Sequence, residues 1–299
     1  MSRKILFFVN PISGTKSKLQ LEKQIIKRCE EANLAFEILL TSKDGDYDFL
    51  KERVANEDIT DVVICGGDGS LSPVVSSLLN TDVNIGIIPR GSGNGLARTA
   101  RIPKSVDKAL DIILKGKAFY VDAFTINDRL SCHVCGLGFD ALVAYEFSKQ
   151  RTRGLSTYTR ETLKHFFKIK SYAFSIEVEG KLLETNAFLL CIANSNQFGN
   201  NFKIAPKASV CDGLLDIVVL NKTSKIQVVV GFVKQILFGK PKSVFSNKIM
   251  KDSLLYFQTR SIRIENPSLA PLHIDGDPTE TSRSFSIEIL PVAYRLLQP

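Results

Sequence analysis

No stretch of this chain is long enough to cross a bilayer as a helix. The longest apolar run, around Ile226 to Phe238, is interrupted by Gln227, Lys234 and Gln235 and falls short of the roughly 20 residues a spanning helix needs. The start, Met1-Ser2-Arg3-Lys4, enters a strand pattern directly, without the apolar core and cleavage site of a secretory leader. A cytoplasmic protein is expected. There is no low-complexity linker, no internal repeat and no polybasic tail. The formal charge of +8, from 39 Lys and Arg against 31 Asp and Glu, therefore suits small anionic substrates or an acidic membrane surface as well as nucleic acid. Histidine is scarce, and His133, His165 and His273 show neither metal-ligand nor triad spacing, so each reads as structural or surface. The six cysteines lie mostly in apolar runs, as free thiols of a reducing compartment do. Cys132 and Cys135 spell C-x-x-C, but no second pair or His cluster completes a zinc site, and residues three apart on a strand face opposite ways.

What is present is ordinary globular composition, 44% hydrophobic and 23% charged over 299 residues, enough for two domains with separate cores. The most informative stretch is Val62-Val63-Ile64-Cys65-Gly66-Gly67-Asp68-Gly69-Ser70. An apolar strand stops there at three glycines and one carboxylate, and a helix follows from Leu71 with Pro73 in its first turn. Amides exposed at a helix start bind phosphate. Asp68 would repel a phosphate unless a cation lies between them or its charge caps the helix, so the stretch reads as a metal-nucleotide site or as a capped turn.

The surrounding chain repeats the layout. Lys4 to Val9 is a strand ending at Asn10-Pro11-Ile12-Ser13-Gly14, followed by a helix with Leu21, Ile25, Cys29 and Ala32 on one face. Phe36 to Leu40 is a strand ending at Thr41. Asn84 to Pro89 is another, running into Arg90-Gly91-Ser92-Gly93-Asn94 before an amphipathic helix through Val106, Leu110 and Ile113. Alternating strands and helices predict a parallel sheet, whose strand-to-helix loops all emerge at one edge. Asn10, Pro11, Ser13, Gly14, Thr41, Gly66 to Ser70, Gly91, Ser92 and Asn94 can then line a single polyphosphate crevice.

From Phe119 the period changes from helical to alternating. Strands are predicted at Phe119 to Ile126, Arg129 to Cys135, Tyr172 to Glu179, Leu182 to Ala193, Leu214 to Leu220, Ser253 to Phe257, Ser261 to Glu265, Leu272 to Ile274 and Phe285 to Leu290. Helices interrupt them at about Asp140 to Lys149, Thr157 to Lys168 and Ser224 to Phe238. The expected organisation is an α/β domain over 1–122 and an antiparallel β-sandwich-like domain with helical insertions over 123–290. The last run, Val292 to Leu297, can cross back so that 291–299 packs on the first domain.

These motifs together resemble the diacylglycerol kinase catalytic-domain family, the bacterial lipid kinases related to diacylglycerol, sphingosine and ceramide kinases. The matching segments are Asn10-Pro11 with Ser13-Gly14, Gly66 to Ser70, Pro89 with Gly91-Ser92-Gly93-Asn94, Gly136-Leu137-Gly138-Phe139-Asp140, Asp212-Gly213-Leu214-Leu215-Asp216 and Asp275-Gly276-Asp277. The resemblance implies a phosphofructokinase-like N-terminal domain and a C-terminal β-sandwich, with ATP bound between them and Mg²⁺-assisted transfer of the γ-phosphoryl group to a lipid hydroxyl. It implies Asp275 and Asp277 as general base and partner, and a metal-linked or amide-orienting role for Asp68. It also implies a structural Mg²⁺ held by Asp212 and the backbone carbonyls of Leu215 and Ile217, where an Asp-Gly turn is the other reading. Asp122 either joins the acidic set or caps its strand, and Asp275-Gly276-Asp277-Pro278 read alone is a polar hairpin turn. Ser70 stands where the family usually has Thr, Asp277 where many members have Glu, and Gly199-Asn200-Asn201 where a glycine-rich segment is common.

A lipid acceptor implies work at the inner face of the membrane, for which Arg151 to Lys170 and Lys222 to Lys251 offer basic-apolar contacts or solvated helix faces. No nucleic-acid partner is expected, and an exposed sheet edge could pair two copies as a homodimer. The competing enzyme reading is a kinase of a soluble acceptor such as NAD, against which stands the lack of an Asn-Glu or Asn-Asp pair placed for a nicotinamide ribose. A nucleotide-binding protein without turnover would lack one of the three carboxylates, which are all present.

Overall fold

Each continuous apolar run of the first half becomes a buried strand. The fold is that of a computed structural model, which describes residues 3–13, 18–42, 44–150, 155–166, 170–196, 198, 203–221 and 254–299. Gly14, Gly199-Asn200-Asn201 and the segment Lys222 to Lys251 lie outside the described residues. Strands β1 (Lys4–Val9), β2 (Ala35–Leu40), β3 (Ile59–Gly66) and β4 (Asn84–Pro89) pair in parallel in the order β2-β1-β3-β4. The three inner strands are almost wholly buried, while edge strand β2 is partly exposed. Helices α1 (Lys18–Glu31), α2 (Phe49–Asn56), α3 (Asp68–Ser77), α4 (Gly95–Thr99) and α5 (Val106–Lys115) connect them. Helix α1 buries Leu21, Ile25 and Cys29 of its predicted stripe, while Ala32 falls exposed in the turn past its end, and α5 buries Ala109, Leu110 and Ile113.

The second half is antiparallel. It contains β5 (Lys117–Ile126), β6 (Arg129–Ser131), β7 (Val134–Gly138), α6 (Phe139–Ser148), α7 (Leu155–Phe166), β8 (Tyr172–Val178), β9 (Lys181–Ala193) and β10 (Leu215–Asn221). Then follow β11 (Leu254–Thr259), β12 (Ser261–Glu265), β13 (Leu272–Ile274), β14 (Asp277–Thr279) and β15 (Ser284–Gln298). Side chains alternate between two cores, as a period of two requires: Leu190 and Ile192 of β9 join Phe124, Ile217 and Ile287, whereas Leu189 and Cys191 join Val134, Val218 and Leu220. No helix among the described residues is long and apolar enough to cross a membrane.

Two strand expectations change. The predicted strand Arg129 to Cys135 is split into β6 and β7, because the amides of Cys132, His133 and Val134 turn towards the carboxylate of Asp275. The runs Phe285 to Leu290 and Val292 to Leu297 form one strand, β15, bulged past Pro291. There Val292 takes φ +56° and donates its amide to Asp122 Oδ1 at 2.8 Å. The first part of β15 pairs with β12 and β5, and its end pairs in parallel with β4 through Arg295 and Leu296. One strand thus joins the parallel sheet to the antiparallel one.

Candidate active site

The loops after β1, β3 and β4 meet at the carboxyl edge of the parallel sheet. The Asn10 amide donates to the Cys65 carbonyl, Asn10 Nδ2 donates to Ser70 Oγ at 2.8 Å, and the amides of Arg90 and Gly91 both donate to the Gly66 carbonyl. Pro11 and Ser13 sit in the turn closed by the Ser13 amide on the Asn10 carbonyl, and the Thr41 amide bonds the Val9 carbonyl. Gly67 and Gly91 pack backbone to backbone: a Cβ on Gly67 would lie 3.1 Å from the Gly91 Cα. Asn94 holds the left-handed conformation at φ +51° and braces the third loop, accepting from the Gly91 amide at 2.8 Å and donating to the Gly91 carbonyl at 2.7 Å. Ser92 lies half-buried between them.

Asp68 opens α3, and its carboxylate reaches across to the next loop. Oδ2 accepts from the Gly95 amide at 2.9 Å and Oδ1 from the Leu96 amide at 3.1 Å, so its charge sits on the first amides of α4. One lone pair of each oxygen is thereby engaged and one remains. Arg98, whose Nε donates to the Gly93 carbonyl, feels burial that lowers its pKa and the charge of Asp68 that raises it. Burial likewise lowers the Lys104 ammonium, with the charge of Arg98 adding to the effect. Arg98 and Lys104 add positive charge to that of Arg90 at this edge, and neither has a motif signal beyond its nearness to the glycine loop.

The second half supplies the facing wall. Strands β13 and β14 form a hairpin whose two-residue turn is Asp275-Gly276, at φ +52° and +87°, with Asp277 the first residue after it. The two carboxylates of this turn have opposite surroundings. Asp275 is 5% exposed. Its Oδ1 accepts from Ser131 Oγ at 2.7 Å and from the amides of His133 and Val134 at 3.1 and 3.0 Å. Its Oδ2 accepts from Ser72 Oγ and the Cys132 amide. Five donors on one carboxylate leave no lone pair for an incoming hydroxyl. Asp277 is exposed and lies directly over Gly69, where a Cβ would overlap its carboxylate. Only glycine at 69 admits that approach.

The turn rests on a buried pair. The Gly276 amide donates to His273 Nδ1 at 3.2 Å, which makes Nδ1 an acceptor and leaves Nε2 to donate to Asp140 Oδ2 at 3.3 Å. His273 is structural, as expected, and so is His133, whose ring bonds Ser195. Asp140 and His273 were not assigned a site role from sequence, because 133 residues separate them and only the fold brings them together.

Two other acidic candidates are held by backbone amides of their own. Asp122 is a buried tie, accepting from the amides of Val292 and Gly213 at 2.8 Å each. Asp212 accepts from the Leu214 amide in a turn at 3.1 Å, and burial together with the nearby Asp122 charge raises its pKa. Leu215 opens β10, and Ile217 lies within it between β9 and β11, where its carbonyl belongs to the sheet. The buried thiols provide no alternative nucleophile, since burial pushes Cys65, Cys132, Cys135 and Cys191 far up.

Residues 4–126 match the diacylglycerol kinase catalytic domain, and residues 133–298 match the YegS C-terminal NAD kinase beta sandwich-like domain. The chain belongs to the diacylglycerol kinase family. It is 23% identical over 281 residues to the diacylglycerol kinase of Staphylococcus carnosus, covering 93% of this chain and 89% of that one. It is 24% identical over 273 residues to the diacylglycerol kinase of Bacillus subtilis, covering 90% and 88%. The crystal structure of a diacylglycerol kinase from Bacillus anthracis superposes with a TM-score of 0.72 at 21% identity over 99% of this chain and 97% of that one. Membership of this kinase family implies ATP as co-substrate and a divalent metal.

Proposed function

We propose that the protein is an ATP-dependent lipid kinase, acting at a membrane surface to transfer the γ-phosphoryl group to a lipid hydroxyl. The observation that carries this reading is the position of Asp277 over Gly69, which sets an exposed carboxylate against the loop best suited to hold phosphates. Asp277 is the general base, accepting the hydroxyl proton as the oxygen attacks phosphorus. Asp275 positions the turn, since its lone pairs are occupied by structural donors. Asp68 orients the Gly95 and Leu96 amides, while Arg98 and Lys104 offset phosphate charge. The oxygen donors at this edge, Asp68, Asp277, Ser70 and Asn10, with no thiol or imidazole among them, fit a hard cation such as Mg²⁺. Bound to the phosphates, Mg²⁺ would neutralise charge that develops on transfer.

The test is γ-labelled ATP with Mg²⁺ and a panel of diacylglycerol, phosphatidylglycerol, ceramide and sphingoid base in mixed micelles, with NAD and sugar phosphates in parallel. Label is expected in the lipid phase. Label in NAD alone would overturn the lipid assignment and leave the kinase one standing.

A further inference from the structure

Helices α6 and α7 hold three side chains that the phosphoryl transfer does not use. Glu161 and His165 are one turn apart on α7 and share a face, and Glu146 of α6 meets them. The two helices pack through Phe147 and Tyr158, whose ring centroids are 5.6 Å apart. Each carboxylate spends Oε1 on a neighbouring cation: Glu146 Oε1 accepts from Lys149 Nζ at 3.3 Å, and Glu161 Oε1 from Arg160 Nε at 3.4 Å. Both Oε2 atoms turn towards His165 Nε2, at 3.8 Å from Glu146 and 3.6 Å from Glu161. These separations are too long for hydrogen bonds.

Glu161 is only 2% exposed, and its Oε2 and His165 Nε2 are both buried without a hydrogen-bond partner. Lys164 Nζ comes within 3.6 Å of Glu161 Oε2, but its side chain is 61% exposed. Leaving a buried carboxylate oxygen and an imidazole nitrogen unbonded is costly, and such groups call for an explanation. A small cation among them supplies one. Metal bonds of about 2.0–2.2 Å in a tetrahedral site place neighbouring ligand atoms about 3.4 Å apart. The separations of 3.6 and 3.8 Å are near that value, and all three ligand atoms lie within 4.8 Å of one another.

We propose that Glu146, Glu161 and His165 form a Zn²⁺ site that clamps α7 to α6, with the fourth coordination position open to water. One imidazole and two carboxylates on a tetrahedral spacing suit zinc, whereas Mg²⁺ takes oxygen ligands in octahedral geometry. The site is separate from the cation of phosphoryl transfer, and its failure would leave the kinase reading untouched. Sequence spacing gave His165 no metal signal, because the third ligand comes from another helix.

The experiment uses untagged full-length protein, stripped with a chelator and titrated with Zn²⁺ by calorimetry in excess Mg²⁺. One equivalent per chain is expected, together with a higher melting temperature. His165→Ala and Glu161→Gln should each weaken binding at least about tenfold, since even outer-sphere changes at metal sites cost that much. Cys211→Ser, removing an exposed thiol that is not among the three ligands, should change nothing. Circular dichroism checks the fold of each variant. Glu146→Gln, at a half-buried carboxylate, gives the same reading should the α7 variants misfold, and Co²⁺ bound to the wild type should show visible bands without thiolate charge transfer. No stoichiometric uptake by the wild type, uptake equal in all three ligand variants, or thiolate bands with Co²⁺ would each overturn the site and leave an ion-paired trio.

Discussion

The two walls of the cleft are built by different means. The first-domain wall is mostly backbone: carbonyls and amides of three loops bond one another, and glycines 67 and 91 touch directly. The facing wall is a single hairpin turn carried on side chains, with Asp275 tied to five donors and His273 linking Gly276 to Asp140. A backbone wall binds a ligand that presents many oxygens, because amides at loop and helix starts are donors of fixed direction. A side-chain wall can instead hold one carboxylate where a proton must be taken. The two walls should therefore fail differently, one in nucleotide affinity and the other in turnover.

The sharpest break is expected at the second wall. Asp277→Asn should lower kcat by about 10²–10⁴-fold, the range for loss of a general base, with the KM for ATP nearly unchanged and the melting temperature unaltered. Steady-state kinetics with the accepted lipid read both constants, and an unchanged kcat would remove Asp277 from the chemistry. Asp275→Ala should act through stability: it strands buried donors and should cost on the order of 3 kcal/mol, measured by denaturant unfolding. Full stability in that variant would contradict the load assigned to Asp275.

The first wall should yield to Gly67→Val, which must displace the Gly91 backbone. A KM for ATP raised about tenfold or more is expected, with a smaller change in kcat, as for lost binding common to ground and transition states. His273→Asn tests the link between side-chain support and Asp277. Losing the bond to Asp140 should lower kcat by about one order of magnitude, smaller than the direct loss of the base, without raising the KM for ATP.

The smallest effect lies outside both walls. Burial holds the Asp216 carboxyl at about 6 instead of 3.8, opposed by a hydrogen bond from Gln258 and aided by the charge of Asp212. The folded protein then binds this proton more tightly than the unfolded chain does. Stability contributed here is complete below 3.8 and is lost as the pH rises through about 6. Asp216→Asn should flatten the stability profile across that window, measured by thermal melts, and an unchanged slope would assign it to other groups.

Much of the first wall was legible in the sequence, because it is local. Each loop follows its own strand, and the parallel order brings the loops to one edge, so Asn10, Gly66 to Ser70 and Gly91 to Asn94 could be placed together from spacing. What spacing could not show is that Gly67 faces Gly91, or that Asn94 braces its own loop. The second wall was legible only as a motif. Asp275 and Asp277 are two residues apart and equivalent on paper, yet one is buried among five donors and the other exposed over Gly69. His273 and Asp140 carried no shared signal at all.

The sequence by itself determined the elements: apolar runs of period two or 3.6 set strands and helices, and glycine at strand ends set the loops, since these depend on neighbours along the chain. The tertiary structure decided the rest. It fused two predicted strands into β15 because Asp122 captures the amide freed at the bulge, and it broke another at Cys132 because Asp275 competes for the same amides. A lone pair is filled by whichever donor the fold brings nearest, and for Asp68, Asp275 and Asp122 those donors lie from 27 to 203 residues away. Partners so distant leave no period in a sequence.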